Sequence, residues 1–404
     1  MKKRFVYWIL IASMVMLVFA GCNNKTVQDA AGGAITNDPV VPDTVQDSGT
    51  TDTPVEAISL KIGWAPPNMT GVFKTATDYM QAACDQAKEF GLDITLVSKP
   101  AESEADTAGQ VKNIENLVQE GCDAIIVSPS SVEACVPAMA AAKAEGVRTI
   151  MVNMLEEQDP EGVAVDAYIG FDNFVAGQIS AYNVLDQLGG PGVLGEGDAI
   201  DVPVETYMDL AFWQDLYKDV DKASITGKVG VIEGVLGTMY SNQRKGGFQD
   251  ITDQYPNVEI VNILPGNWER TPSVAAAENI IQAFPDVEII WAAATEMAMG
   301  ATIARDNMDR KDILVFSNDG TPESIQAIND GVIIAETWHG FPEWGWYGVQ
   351  AGVQLVTGFE SDVERYIDIL PRTEYKKNAD QFYPEPKLKA IDWKALYEGA
   401  AANQ

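Results

Sequence analysis

Two rhythms alternate along the chain. Short apolar runs (KIGWAP, DITLVSKP, DAIIVSPS and RTIMVNM) are separated by longer stretches, ATDYMQAACDQAKEFG, TAGQVKNIENLVQEG and VEACVPAMAAAKAEG, whose apolar residues recur at helical spacing. The runs predict strands buried on both faces, and strands joined through helices pair in parallel. A second set follows: YIGFDN, a helix from Phe174 to Leu188, KVGVIEG, EIVNILPG, a helix over SVAAAENIIQAFP, and EIIWAAAT. Residues 58–404 are long enough for two domains with their own cores. The expected fold class is α/β, with parallel sheets covered by helices.

The stretch from Asp312 to His339 shows where chemistry can sit. ILVFSND reads as a buried strand that turns polar at its end, closed by Asp319 and a sharp turn at Gly320. Thr321 predicts a helix N-cap with Pro322 and Glu323 in the first turn; that helix stops at Gly331, before the strand VIIAETW. Asp319 therefore stands at the carboxyl end of a parallel strand, where open sheets place their ligands.

The start of the chain has another character. Lys2, Lys3 and Arg4 precede the apolar run FVYWILIASMVMLVFA, which ends in Gly21-Cys22. This is the make-up of a secretory signal over residues 1–22. The Cys after Ala-Gly resembles the lipobox of bacterial lipoproteins, although Phe19 stands where Leu is usual. That resemblance implies lipidation of Cys22 and a mature chain that begins there. Residues 23–57 hold no aromatic residue and no sustained apolar period, and they read as a disordered tether with a reach of ~30 Å. The protein is expected outside the cytoplasm, lipid-anchored to the cell membrane.

Charge removes several function classes. A net charge of -32 argues against nucleic-acid partners and against electrostatic adhesion to anionic membranes, which leaves anchoring to the lipid. One His leaves little material for an imidazole metal site or acid–base pair. No G-x-G-x-x-G follows a strand with an acid ~20 residues on, and neither the P-loop pattern nor a G-x-S-x-G elbow is present. No enzyme activity, cofactor or metal is expected. Beyond Cys22, buried free thiols are expected at Cys84, Cys122 and Cys135, with a Cys122–Cys135 bridge as the alternative in an oxidising space.

From Lys61 to about Gly358 the order of motifs resembles the sugar-binding type I periplasmic binding proteins, the ribose- and galactose-binding group. The motifs are KIGWAP, GCDAIIVSPSS, VRTIMVN, YIGFDNFVAGQ, GTMYSNQRKGGF, EIIWAAATEMAMGA, VFSNDGTPES and AETWHGFP. The resemblance implies two Rossmann-like lobes joined by a three-segment hinge that closes on a ligand. It divides the chain into residues 58–171 and 339–368 (N-terminal lobe), 172–338 (C-terminal lobe) and a 369–404 extension.

Carried across, the family's sugar-gripping Arg falls on Arg244, its hydroxyl-accepting Asp on Asp319, and its stacking aromatic on Trp268. Asn153 replaces a binding Asp and Met154 an Arg; Ala294 and Thr295 replace an Asn-Asp pair; His339 stands for a hinge Gln that touches ligand. Asn68 and Phe73, in the long opening loop, match more loosely. These substitutions prevent a direct transfer of ribose or galactose. The function implied is capture of a small polyhydroxylated ligand, above all a monosaccharide, by a monomer that delivers it to an ABC transporter permease. The alternative is a sensory binder of a signal such as autoinducer-2. An acidic insertion, residues 195–226, carries YMDLAFWQDLY at helical spacing, and WKALYEGA predicts a terminal helix. In the run WHGFPEWGWYG most aromatics are expected in the core, with one or two lining the crevice.

Overall fold

The alternation resolves into two six-stranded sheets in the computed structural model, which describes residues 57–194, 200–384 and 386–403. The expected signal, the expected lipidation site Cys22 and nearly all of the expected tether lie outside the described residues.

The first lobe runs β1 (Ile58–Ala65), α1 (Gly71–Lys88), β2 (Leu92–Ser98), α2 (Thr107–Gln119), β3 (Ala124–Val127), α3 (Val132–Ala144), β4 (Arg148–Val152) and β5 (Ala167–Gly170). The second runs α4 (Asn173–Gln187), α5 (Leu210–Tyr217), β6 (Thr226–Glu233), α6 (Met239–Thr252), β7 (Asn257–Pro265), α7 (Arg270–Ala283), β8 (Ile289–Ala292), α8 (Thr295–Asn307), β9 (Leu314–Asp319), α9 (Pro322–Asn329) and β10 (Ala335–Trp338). The chain then returns as α10 (Phe341–Val356), β11 (Tyr366–Asp368), β12 (Arg372–Tyr375) and α11 (Trp393–Ala402).

The sheet orders are β11-β5-β4-β3-β1-β2 and β12-β10-β9-β8-β6-β7. Every pairing is parallel except that of the edge strand β12 with β10. In each sheet the winding reverses beside the lobe's first strand, between β1 and β3 and between β6 and β8. Open α/β sheets form a crevice at the carboxyl ends of strands at this point. The strands are apolar because both faces are covered. Ile125, Ile126, Ile150, Ile290, Trp291 and Val315 are all fully buried.

The tail does more than the expected extension. Three passages between sheets come after β5, after β10 and between β11 and β12, so β12 belongs to the second sheet. A fourth follows Tyr383, which packs on Trp338. Beyond it, Trp346 donates to the carbonyl of Lys389, and Trp393 of α11 donates to Gln86 of α1. The insertion is also built in: Trp213 of α5 is fully buried, lies parallel to Tyr182 and donates to Thr373 of β12. The three cysteines are free and buried.

Candidate ligand-binding cleft

The carboxyl ends of both sheets face one another across a cleft of about 700 Å³ of empty space, part of it open to solvent. The lobes touch at its rim, where Tyr240 reaches the Pro129 carbonyl at 3.3 Å and Gln243 donates to Glu156 at 2.7 Å.

Helix α6 brings Arg244 to the floor. Gly177 of α4 and Gly247 of α6 make this possible: a Cβ on either would lie about 2 Å from the other helix's backbone oxygen, so only glycine allows the approach. Arg244 is buried. Its Nη1 donates to Asp319 Oδ1 at 2.9 Å and to the Ala293 carbonyl at 2.8 Å, and its Nε donates to Asn173 at 2.8 Å. Burial pulls its pKa down, while Asp319 opposes that shift. Asp319 Oδ2 accepts the backbone N–H of Thr295 at 3.0 Å. Thr321 caps α9 through a reciprocal box with Ser324, as the sequence predicts. Asp319 pays for its aim with a φ of +123°. Asn153 (φ +80°) and Trp268 (φ +63°) also hold left-handed backbone, which side chains other than Gly, Asn and Asp rarely accept.

The half-buried ring of Trp268 lies 5.3 Å from the Arg244 guanidinium. It is seated against Gly234, where any Cβ would meet the indole at 2.0 Å. From the first lobe come Asn68, Phe73, Glu104 and Asn153, whose buried Oδ1 has no partner among the described residues. Asn68 donates to Glu104 at 3.2 Å. Burial and the nearby Asp319 push the Glu104 carboxyl up to about 7.

Seven of the eight expected ligand-binding positions line this cleft: Asn68, Phe73, Asn153, Arg244, Trp268, Thr295 and Asp319. Thr295 lines it with its hydroxyl turned inward onto Glu336, so its contribution is to hold Asp319. His339 is the exception, and the expectation of ligand contact is corrected. Its ring is fully buried behind Asp319, 3.3 Å from Oδ1, stacked on Phe171 at 4.0 Å and 3.2 Å from Asn318. Burial and the neighbouring Arg244 pull its pKa down to about 4, so it is neutral. Met154 is packed in the core of the first lobe. Of the aromatic run, Phe341 lines the cleft, whereas Trp338, Trp344 and Trp346 are fully buried.

Sequence reasoning missed Glu104, Tyr240 and Asn173. It also missed a buried acid pair behind the floor, Glu336 and Glu374, opposite one another on β10 and β12. Burial and the facing Glu336 raise Glu374, so this carboxyl keeps its proton. Among the described residues no cluster of three or more His, Cys, Asp or Glu could hold a metal.

Such a cleft, between two parallel-sheet lobes and floored by a buried ion pair under an indole, defines a two-lobed binding protein. The chain belongs to the periplasmic binding protein domain family, which it matches over residues 62–360. It is 27% identical over 61% of its length to the ribose import binding protein of Bacillus subtilis, of which 65% is covered, so the chain spans just under two thirds of that relative. It is 25% identical over 69% of its length to the D-ribose/D-allose-binding protein of Pseudomonas aeruginosa, of which 77% is covered. Among solved structures, an ABC transporter solute-binding protein of Actinobacillus succinogenes with bound D-allose superposes with a TM-score of 0.65 at 24% identity, covering 80% of this chain and 100% of that one. These relatives are solute-binding proteins and not enzymes.

Proposed function

We propose that the protein is the lipid-anchored solute receptor of an ABC importer and captures a small polyhydroxylated ligand, above all a monosaccharide. One observation carries this reading: the buried Arg244–Asp319 pair and the half-buried Trp268, whose ring centroid lies 5.3 Å from the guanidinium, line one cleft together with residues of the other lobe. The indole offers a flat apolar face to ring C–H groups, and the ion pair and Asn153 offer donors and acceptors to hydroxyls at its edge. The relatives named for ribose and allose support a sugar. The absence of an N-lobe Arg beside Asn153 leaves the particular sugar open to rebuilding of the pocket.

Binding works as a population shift. Only a closed arrangement lets one ligand touch Asn153 and Asp319 together, so the ligand stabilises that form. Buried polar groups left unpaired then reject analogues that lack the matching hydroxyl. Lipidation at Cys22 and export of the chain complete the reading.

The test is thermal unfolding against pentoses, hexoses, polyols, autoinducer-2, nucleosides and amino acids. A micromolar ligand at a thousandfold excess adds roughly 4 kcal/mol and moves the midpoint by several degrees. A shift with amino acids or nucleosides alone would sink the polyol assignment. Loss of uptake of the identified ligand in a deletion strain is the expected sign of import; intact uptake with a lost response would point to sensing.

A further inference from the structure

We infer that the ligand carries a protonated amine among its hydroxyls, as an amino sugar or amino polyol does, and that Glu104 is its counter-ion. The inference rests on the polyol reading above and narrows it.

A charge count of the cleft leads there. Four ionisable carboxylate or guanidinium side chains line it: Glu104, Arg244, Glu296 and Asp319. Arg244 is paired with Asp319 at 2.9 Å, and Glu296 with Arg270 at 3.0 Å, a guanidinium that Glu323 shares at 2.8 Å. Glu104 remains. It accepts a hydrogen bond from the neutral amide of Asn68 and makes no ion pair among the described residues. The groups that face it across the cleft are Asp319 and Glu269, both acidic, the already paired Arg244, and the phenol of Tyr240.

A carboxylate enclosed without a cation is unfavourable, and a ligand that supplies the cation removes that penalty. An acidic ligand would meet the opposite situation. Arg244 already serves Asp319, Asn173 and the Ala293 carbonyl, so a sugar acid or phosphate would bring a second uncompensated anion beside Glu104. A neutral sugar can use Glu104 in either form, its hydroxyls donating to the carboxylate or accepting from the protonated carboxyl, but in neither case does it supply the missing cation. An ammonium and a hydroxyl that accepts from the protonated carboxyl differ in their response to pH. An ammonium needs Glu104 ionised, so its affinity falls as pH drops below about 7, by up to about tenfold per unit. A neutral sugar that accepts from the protonated carboxyl binds more weakly as pH rises through the same range.

The experiment is calorimetry on the intact protein with matched pairs. Each pair sets an amine that stays protonated to pH 8 against its hydroxyl parent: 6-amino-6-deoxyhexoses with hexoses, 1-amino-1-deoxyalditols with alditols. The expected result is at least a tenfold preference for the amine in one pair at pH 7.5, with the amine's affinity reduced roughly twentyfold at pH 5.5. The same preference should collapse in Glu104→Gln. The pH series on the unmutated protein stands even if that variant misfolds. Equal or tighter binding of the hydroxyl parent in every pair that binds would overturn the inference and leave the polyol reading in place. Failure of all pairs beside a thermal shift with another ligand class would bring down both.

Discussion

The two halves of the cleft are built differently. On the C-terminal side, Arg244, Asp319, Thr295 and Asn173 are buried and joined by hydrogen bonds of 2.8 to 3.0 Å, with His339, Glu336 and Glu374 packed behind them. On the N-terminal side, Asn153 leaves its Oδ1 without a partner, and Glu104 has only Asn68. Among the described residues, Arg244, Asp319, Thr295 and Asn173 are satisfied by the protein itself, whereas Asn153 and Glu104 lack partners that a ligand can supply. Changes on the C-terminal side should thus cost stability as well as binding, and changes on the N-terminal side binding alone.

Asp319→Ala offers the largest effect. It strands the buried Arg244, and removing one partner of a buried pair costs about 3–5 kcal/mol. Urea unfolding should show a matching fall in midpoint, together with lost binding. Unchanged stability would mean that the floor is not a preformed unit. Trp268→Ala should come next. The half-exposed ring contributes mainly contact area, so the expected loss is about 2 kcal/mol in affinity, near thirtyfold, with a smaller change in unfolding.

Asn153→Gly tests the other half; glycine is chosen because it accepts the +80° φ. Affinity should fall by about 1–2 kcal/mol while unfolding moves by less than half of that, since a buried polar group without a partner contributes no stability. A large stability loss here would erase the contrast between the halves. His339→Gln gives the smallest change at neutral pH and the most specific one. The imidazole is held neutral down to about pH 4, so the unfolded chain takes its proton first as pH falls from 6.5, and native stability is lost across that window. The variant should escape this loss, which reaches roughly 3 kcal/mol near pH 4, in a difference that also cancels the opposing titration of Glu336.

The alternation of strands and helices was legible from the period of apolar residues, and Asp319, Arg244 and Trp268 from motif order. Other parts were not, for physical reasons. Glu104 lies in ESEAD, a loop with no period, and only the path of the chain between β2 and α2 brings its carboxyl into the cleft. His339 follows β10, whose Trp338 pairs with Asp319; one residue further on, the ring passes beneath Phe171 and behind the acid. β12 reads RTEY, and no pattern rule assigns a fully buried Glu374 to a strand. Its place opposite Glu336, where burial keeps its carboxyl protonated, is a relation between segments 38 residues apart (374 − 336).

The fourth passage of the tail bears on the order in which the protein can mature. Trp393 meets Gln86 across 307 positions of sequence, and α11 packs beside β1. The lobe whose strands are synthesised first is therefore among the last parts to be finished. Until the final residues arrive, the α1 face that they cover stays open, and closing so long a loop is slow. A chain of this design should complete its first lobe late, with the docking of α11 as the fastening that closes it.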